Sequence, residues 1–228
     1  GTNNVFPTMV EGTLAGLAAI PVMLDEMNTR LTWEASASDG EAIEAGQSLG
    51  TLAGSSRDLL VVERPLLNLV GRLSGIATLT RQFVDEVDTS EVRIYDTRKT
   101  TPGWRRLEKY AVRCGGGHNH RSGLFDGILV KDNHLATSNG TRPASPAAAL
   151  EKVRAFIDQY QGEYPMPENL LVEVEVDTLE QLADVLPANP DIVLLDNMSA
   201  EMLQEAVACR DQLSPATELE ASGGVTLG

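Results

Sequence analysis

From Val92 onward the chain alternates short β-branched runs with stretches of helical periodicity. The apolar runs are Val92–Tyr95, Gly127–Val130, Leu170–Val176, Ile192–Leu195 and Glu218–Ala221. Between and after them lie Trp104–Val112, Ala147–Tyr160, Leu179–Val185 and Ala200–Arg210, each with an apolar stripe at helical spacing. Strand–helix alternation of this kind leaves few topologies open, because parallel neighbours need helical crossovers packed on the sheet. It predicts an α/β fold with a parallel sheet, either open or closing toward a barrel. In α/β barrels the C-terminal strand ends build the active face. The residues after these runs are polar: Asp96-Thr97-Arg98-Lys99, Lys131, Asp196 and Ser222-Gly223-Gly224, with Glu173 and Glu175 within a run.

Upstream the pattern differs. A strand near Met9–Leu14, a helix near Ala18–Asn28 and a hairpin of Thr32–Ala37 with Ser48–Gly54 read as an α+β segment, with Asp39-Gly40-Glu41 as a turn. A long helix then follows. Leu66, Leu69, Val70, Leu73, Ile76, Ala77, Phe83 and Val84 fall on one stripe, and Pro65 suits a first helical turn. The expected division is residues 1–64 as an N-terminal α+β domain and 65–228 as an α/β barrel domain. Thr137–Ala149, rich in Ser, Pro and Ala, is expected to be a surface excursion.

Charge narrows the function. Arg93–Lys131 carries nine Arg or Lys against three acids, a net +6 within a chain of −15. A cationic island on an anionic protein concentrates field on a small polyanion, whereas nucleic acid would be repelled by the rest of the surface. The longest apolar run, Leu14–Leu24, is broken by Pro21 and is far short of a bilayer span. No partner of membrane or nucleic-acid type is therefore expected. Two cysteines, Cys114 and Cys209, are too few for a disulfide framework, and a cytoplasmic location is the default. The chain opens at Gly1 and stops soon after a glycine pair, so both ends are expected to be missing.

Within the island, Thr97-Arg98-Lys99 combines a planar fork for carboxylate with a point charge. In Gly115-Gly116-Gly117-His118-Asn119-His120-Arg121 the glycines are expected to bring backbone amides to a ligand, with His120 and Arg121 as further donors. Cys114, His118 and His120 form an alternative zinc set, but lack the usual paired spacing. Lys131 follows an apolar run, where an ammonium needs an anion to face. Glu173, Glu175 and Asp196 suit ribose hydroxyls or a hydrated Mg²⁺, and charge balance is the competing role. Ser222-Gly223-Gly224 suits a phosphate.

These motifs resemble the quinolinate phosphoribosyltransferases, also called nicotinate-nucleotide pyrophosphorylases (carboxylating). The matching stretches are Glu63-Arg64-Pro65-Leu66-Leu67-Asn68, Asp96-Thr97-Arg98-Lys99-Thr100, Gly115-Gly116-Gly117 with His120-Arg121, and Lys131-Asp132-Asn133-His134, followed by Glu173-Val174-Glu175-Val176, Leu194-Leu195-Asp196-Asn197 and Ser222-Gly223-Gly224. The resemblance implies an incomplete α/β barrel beside an N-terminal α+β sandwich, truncated at both ends. It implies transfer of phosphoribosyl from phosphoribosyl pyrophosphate to quinolinate, giving nicotinate mononucleotide, CO₂ and pyrophosphate with Mg²⁺. It implies a homodimer with a shared active site, a hexamer being the alternative assembly. Carried over by motif, Arg64 reaches into the partner's site. Thr97, Arg98, Lys99, His120, Arg121 and Lys131 bind substrate, and Ser222, Gly223 and Gly224 grip the 5′-phosphate. Lys131, Glu175 and Asp196 are the expected catalytic residues, with Glu175 and Asp196 on the ribose and Mg²⁺ side. Competing readings are a nicotinate phosphoribosyltransferase, the molybdenum-transport-associated homologue, and a non-catalytic anion-binding fragment. A biotinyl- or lipoyl-like carrier is rejected, since no lysine precedes Lys99.

Overall fold

The computed structural model describes residues 2–8, 10–87, 91–123, 127–131, 145–160 and 170–227, with the side chains of residues 2–4 excepted. Asp132, Asn133 and His134, and most of the expected surface excursion, lie outside the described residues. Two compact units emerge, Gly1–Ser122 and Gly123–Thr226.

In the first unit a three-stranded antiparallel sheet has the order β1-β5-β3, where β1 is Thr2–Pro7, β3 Thr32–Ala35 and β5 Ser48–Gly54. The expected hairpin pairing is present, with Trp33 opposite Leu52 and Ala35 opposite Gly50. Two features depart from expectation. Strand β1, which includes the weak strand formers Asn3 and Asn4, is held by its ladder to β5. The strand expected at Met9–Leu14 shrinks to β2, Gly12–Thr13, paired with β4, Ala42–Ile43. Helix α1, Ile20–Glu26, follows a short 3₁₀ turn at Leu17–Ala19. That turn is anchored by Asp39, whose carboxylate accepts the amides of Leu17 (2.9 Å) and Ala18 (3.2 Å).

Helix α2 runs from Ser56 to Glu86 and starts well before Pro65. Its cap is Ser55, whose hydroxyl accepts the Asp58 amide at 3.1 Å, and its buried stripe begins with Leu59 and Val62. Pro65 thus lies inside the helix. The carbonyl of Val61 loses its usual donor there, on a residue that is exposed. The stripe continues through Leu66, Leu69, Val70, Leu73 and Ala77. Its upper half packs with Phe6, Leu14, Ile20 and Leu52, and its lower half with Ala111 of α3, Arg105–Cys114.

The expected strand Val92–Tyr95 does not form. Tyr95 makes a single parallel bridge to His118, through His118 N to Ile94 O (2.8 Å) and Asp96 N to His118 O (3.1 Å). A ladder cannot grow there, because the partner segment has just left α3 at Gly117 and its next residues turn to side-chain partners.

In the second unit four parallel strands lie in sequence order: β6 Ile128–Val130, β7 Val172–Val176, β8 Ile192–Asp196 and β9 Glu218–Ser222. Helices α4 (Pro146–Tyr160), α5 (Leu179–Val185) and α6 (Ala200–Leu213) alternate with them. This is an arc of an α/β barrel. Val130, Val172, Val174, Val176, Val193 and Leu195 form the helix-facing core. By the two-residue period, Lys131, Glu173, Glu175, Asp196 and Ser222 fall on the opposite face.

Candidate active site

Two loops in the first unit carry the cations. The 96–101 loop follows the Tyr95 bridge, and the 118–122 loop follows α3. Both are fastened to α3 by residues one helical turn apart. Lys109, buried, pairs with the Asp96 carboxylate and donates to the His120 carbonyl at 2.9 Å. Asp96 also accepts the His120 amide (2.9 Å) and the Asn119 side-chain amide (2.6 Å), and Asn119 donates to Lys109 O (2.8 Å). Arg105 donates to Thr100 Oγ1, Arg98 O and Ser122 O at 3.2, 3.3 and 3.1 Å. Two cations counted with the ligand-binding island are thus turned to protein acceptors. Their i, i+4 spacing on α3 was the available signal.

Arg98 and Lys99 differ from these. Arg98 Nε is buried and has no hydrogen-bond partner among the described residues. Lys99 is exposed, and its backbone amide is turned to Thr97 Oγ1 (3.0 Å), which curls the loop. A buried, unpaired guanidinium nitrogen is costly until an acceptor arrives. The His118 and His120 rings lie 5.5 and 6.2 Å from the Tyr95 ring centroid, and the Arg121 amide donates to His120 Nδ1 (2.8 Å).

The three glycines act differently from the expected amide cradle. Their amides close the end of α3, from Gly115 to Ala111 O, Gly116 to Arg113 O and Gly117 to Val112 O. Gly116 is left-handed (φ 88°), and a Cβ on Gly117 would meet Thr80 and Val112 at 2.7 and 2.8 Å. These residues are glycines so that α3 can stop tightly against α2. Cys114 joins this packing rather than a metal set: burial pushes its thiol up, and its side-chain partner is Tyr110. Tyr110 is itself pushed far up by burial and by its 2.6 Å bond to Asp39.

In the second unit, Lys131 Nζ pairs with Glu175 Oε2 at 2.5 Å across adjacent strands β6 and β7. Glu173, two residues earlier on the same face, is buried. Asp196 ends β8 and accepts the Asn197 side-chain amide at 3.1 Å. Beyond β9, Gly223 and Gly224 have φ of 87° and 67°. Gly223 lies so close to the Asn197 side chain that a Cβ would collide with it. Ser222 to Gly224 border an open pocket of about 180 Å³ with Leu195, Met198 and Val225. Arg64 is exposed on α2 and has no ion-pair partner among the described residues.

Known proteins match this architecture along almost the whole chain. The patterns described as quinolinate phosphoribosyl transferase N-terminal domain and C-terminal domain match residues 3–74 and 76–228. A nicotinate-nucleotide pyrophosphorylase (carboxylating) of Mycobacterium leprae (strain TN) is 44% identical over 220 residues, 95% of this chain and 72% of that protein. A probable counterpart in Bacillus subtilis (strain 168) is 41% identical, covering 95% and 69%. Among solved structures, NadC from Streptococcus pyogenes superposes with a TM-score of 0.84 at 33% identity, covering 99% of this chain and 74% of that one. The nicotinate-nucleotide pyrophosphorylase from Francisella tularensis reaches 0.85 at 35% identity, covering 98% and 74%. The chain therefore belongs to the quinolinate phosphoribosyltransferase family.

Proposed function

We propose that this chain is a pentosyltransferase of NAD biosynthesis that joins quinolinate to phosphoribosyl pyrophosphate, releasing pyrophosphate and CO₂ and forming nicotinate mononucleotide. The observation that carries this is Arg98: a guanidinium with a buried, unpartnered nitrogen, beside Lys99 and on a loop fastened to the one bearing His120 and Arg121. Such a pair of loops suits a small ligand with two neighbouring carboxylates, each able to take charge-assisted bonds.

The chemistry asks little covalent work of the protein. The ring nitrogen attacks C1 of the sugar as the C1–O bond to pyrophosphate breaks, so positive charge gathers on the sugar carbon and negative charge on the leaving group. Prepositioned carboxylates and cations stabilise both. Glu175 and Asp196 are assigned to the ribose side, Lys131 to the phosphates with Glu175 steering its ammonium, and Ser222 to Gly224 to the 5′-phosphate. The carboxylate next to the ring nitrogen then leaves as CO₂; the C–C electron pair stays on the ring, stabilised by the pyridinium, and a proton takes its place.

Glu175 and Asp196 also fit a Mg²⁺ held mainly through substrate phosphates, since that ion keeps waters and needs only one or two carboxylates. When bound it would neutralise charge on the departing pyrophosphate. We further assign Arg64 to the partner's site in a homodimer, because it is exposed and unpaired within its own chain among the described residues. The cytoplasm is the proposed compartment. Among the described residues no helix is long and apolar enough to cross a membrane. The test is product formation from quinolinate and phosphoribosyl pyrophosphate with and without Mg²⁺. Nicotinate mononucleotide and CO₂ in equal amounts are expected; turnover of nicotinate in preference to quinolinate would overturn the assignment.

A further inference from the structure

We infer that Arg105 is a positioning residue that locks the two cation-bearing loops in register, so that one ligand with two carboxylates can engage both at once. This rests on the dicarboxylate reading above. Among the described residues the loops are tied together at both ends. At their near ends the Asp96 carboxylate holds the His120 amide. At their far ends a single guanidinium reaches both: Nε to Thr100 Oγ1, Nη2 to Arg98 O and Nη1 to Ser122 O, at 3.2, 3.3 and 3.1 Å. Ties at the near end alone would leave the far ends free to part, and ties at both ends fix the spacing.

The acceptors are well chosen for this. Arg98 O also accepts the Thr100 amide at 3.0 Å, so holding that carbonyl holds the turn that presents Arg98 and Lys99. Ser122 directly follows Arg121, whose amide is bonded to His120 Nδ1. The planar fork spreads its nitrogens in fixed directions, which a lysine ammonium cannot reproduce. Because each of the three nitrogens faces a protein acceptor, Arg105 orients the ligand-facing cations and does not act as one of them.

The experiment compares wild type with Arg105→Met and Arg105→Lys. Calorimetry with quinolinate and with nicotinate is combined with thermal melting and with hydrogen exchange of the ligand-free protein over residues 97–101 and 119–123. Arg105→Met is expected to weaken quinolinate by roughly tenfold or more while changing nicotinate less than about threefold, since one carboxylate needs one loop only. Arg105→Lys should keep the melting temperature near wild type, yet still lose most of the gap between the two acids. Exchange should accelerate in both loops together. An undiminished gap in both variants, or equal loss for both acids, overturns the proposal. If Arg105→Met does not fold, Arg105→Lys decides alone. If wild type shows no gap, the dicarboxylate reading fails, and exchange then judges Arg105 separately: acceleration in both loops supports bracing, and acceleration in one or neither refutes it.

Discussion

At the scale of single residues, internal partners separate the cations that brace the loops from those left for a ligand. Lys109 is about 5% exposed and spends its ammonium on Asp96 and His120 O. Removing one partner of a buried pair leaves an uncompensated charge, at a cost of roughly 3–5 kcal/mol. Asp96→Ala should therefore lower stability by about that much in urea unfolding, with activity lost alongside. Arg98 has the opposite signature. Its buried Nε has no internal partner among the described residues, so Arg98→Met should leave stability unchanged or slightly raised. It should weaken quinolinate by roughly 10- to 150-fold, the equivalent of one charge-assisted contact of about 1.5–3 kcal/mol. Calorimetry and melting on the same preparation separate the two effects. A large stability loss in Arg98→Met would mean that this arginine is structural.

Among the elements, α2 and α3 were legible in outline, but their ends were not. The stripe from Leu66 to Ala77 identified α2 correctly, yet Pro65 drew its start too late, because the helix is capped at Ser55 and carries the proline in its interior, one turn after the exposed Val61. The five apolar runs after Ser90 gave four true strands. Val92–Tyr95 has strand composition but only a one-residue partner, and pairing is a tertiary fact that composition does not hold. The candidate residues were put forward by motif, while the packing purpose of the glycine run left no such signal. Gly115 to Gly117 look like an anion loop until Thr80 and Val112 are seen pressing on them. Another tie between elements is readable by pH. Arg72, stacked 5.4 Å over Trp104, bonds Glu108 and Thr101 and so binds α2 to the cationic loop. Burial alone would raise the Glu108 carboxyl, but the hydrogen bonds from Arg72 and Thr101 and the Arg72 charge outweigh it, holding it below its ordinary 4.5. A depressed carboxyl adds stability that is present above the unfolded value and lost as pH falls through the folded one. Melting temperature should drop as pH falls below about 4.5, and Glu108→Gln should flatten part of that drop. An identical acid limb in the variant would remove Glu108 from the account.

For the whole molecule, the proposed homodimer makes a prediction that neither unit makes alone. Subunits carrying Arg64→Ala, mixed with subunits carrying Lys131→Ala, should recover partial activity through hybrid dimers, because one site in each hybrid has both residues intact. Absence of recovery despite proven subunit exchange would place Arg64 in its own chain's service. The central claim, that two cationic loops read two carboxylates, is tested most directly by calorimetry of quinolinate against nicotinate, using wild type and Arg121→Ala. Wild type should bind quinolinate at least about tenfold more tightly. Arg121→Ala should shrink that ratio while affinity for phosphoribosyl pyrophosphate changes less. Equal affinities for the two acids in wild type would contradict the account.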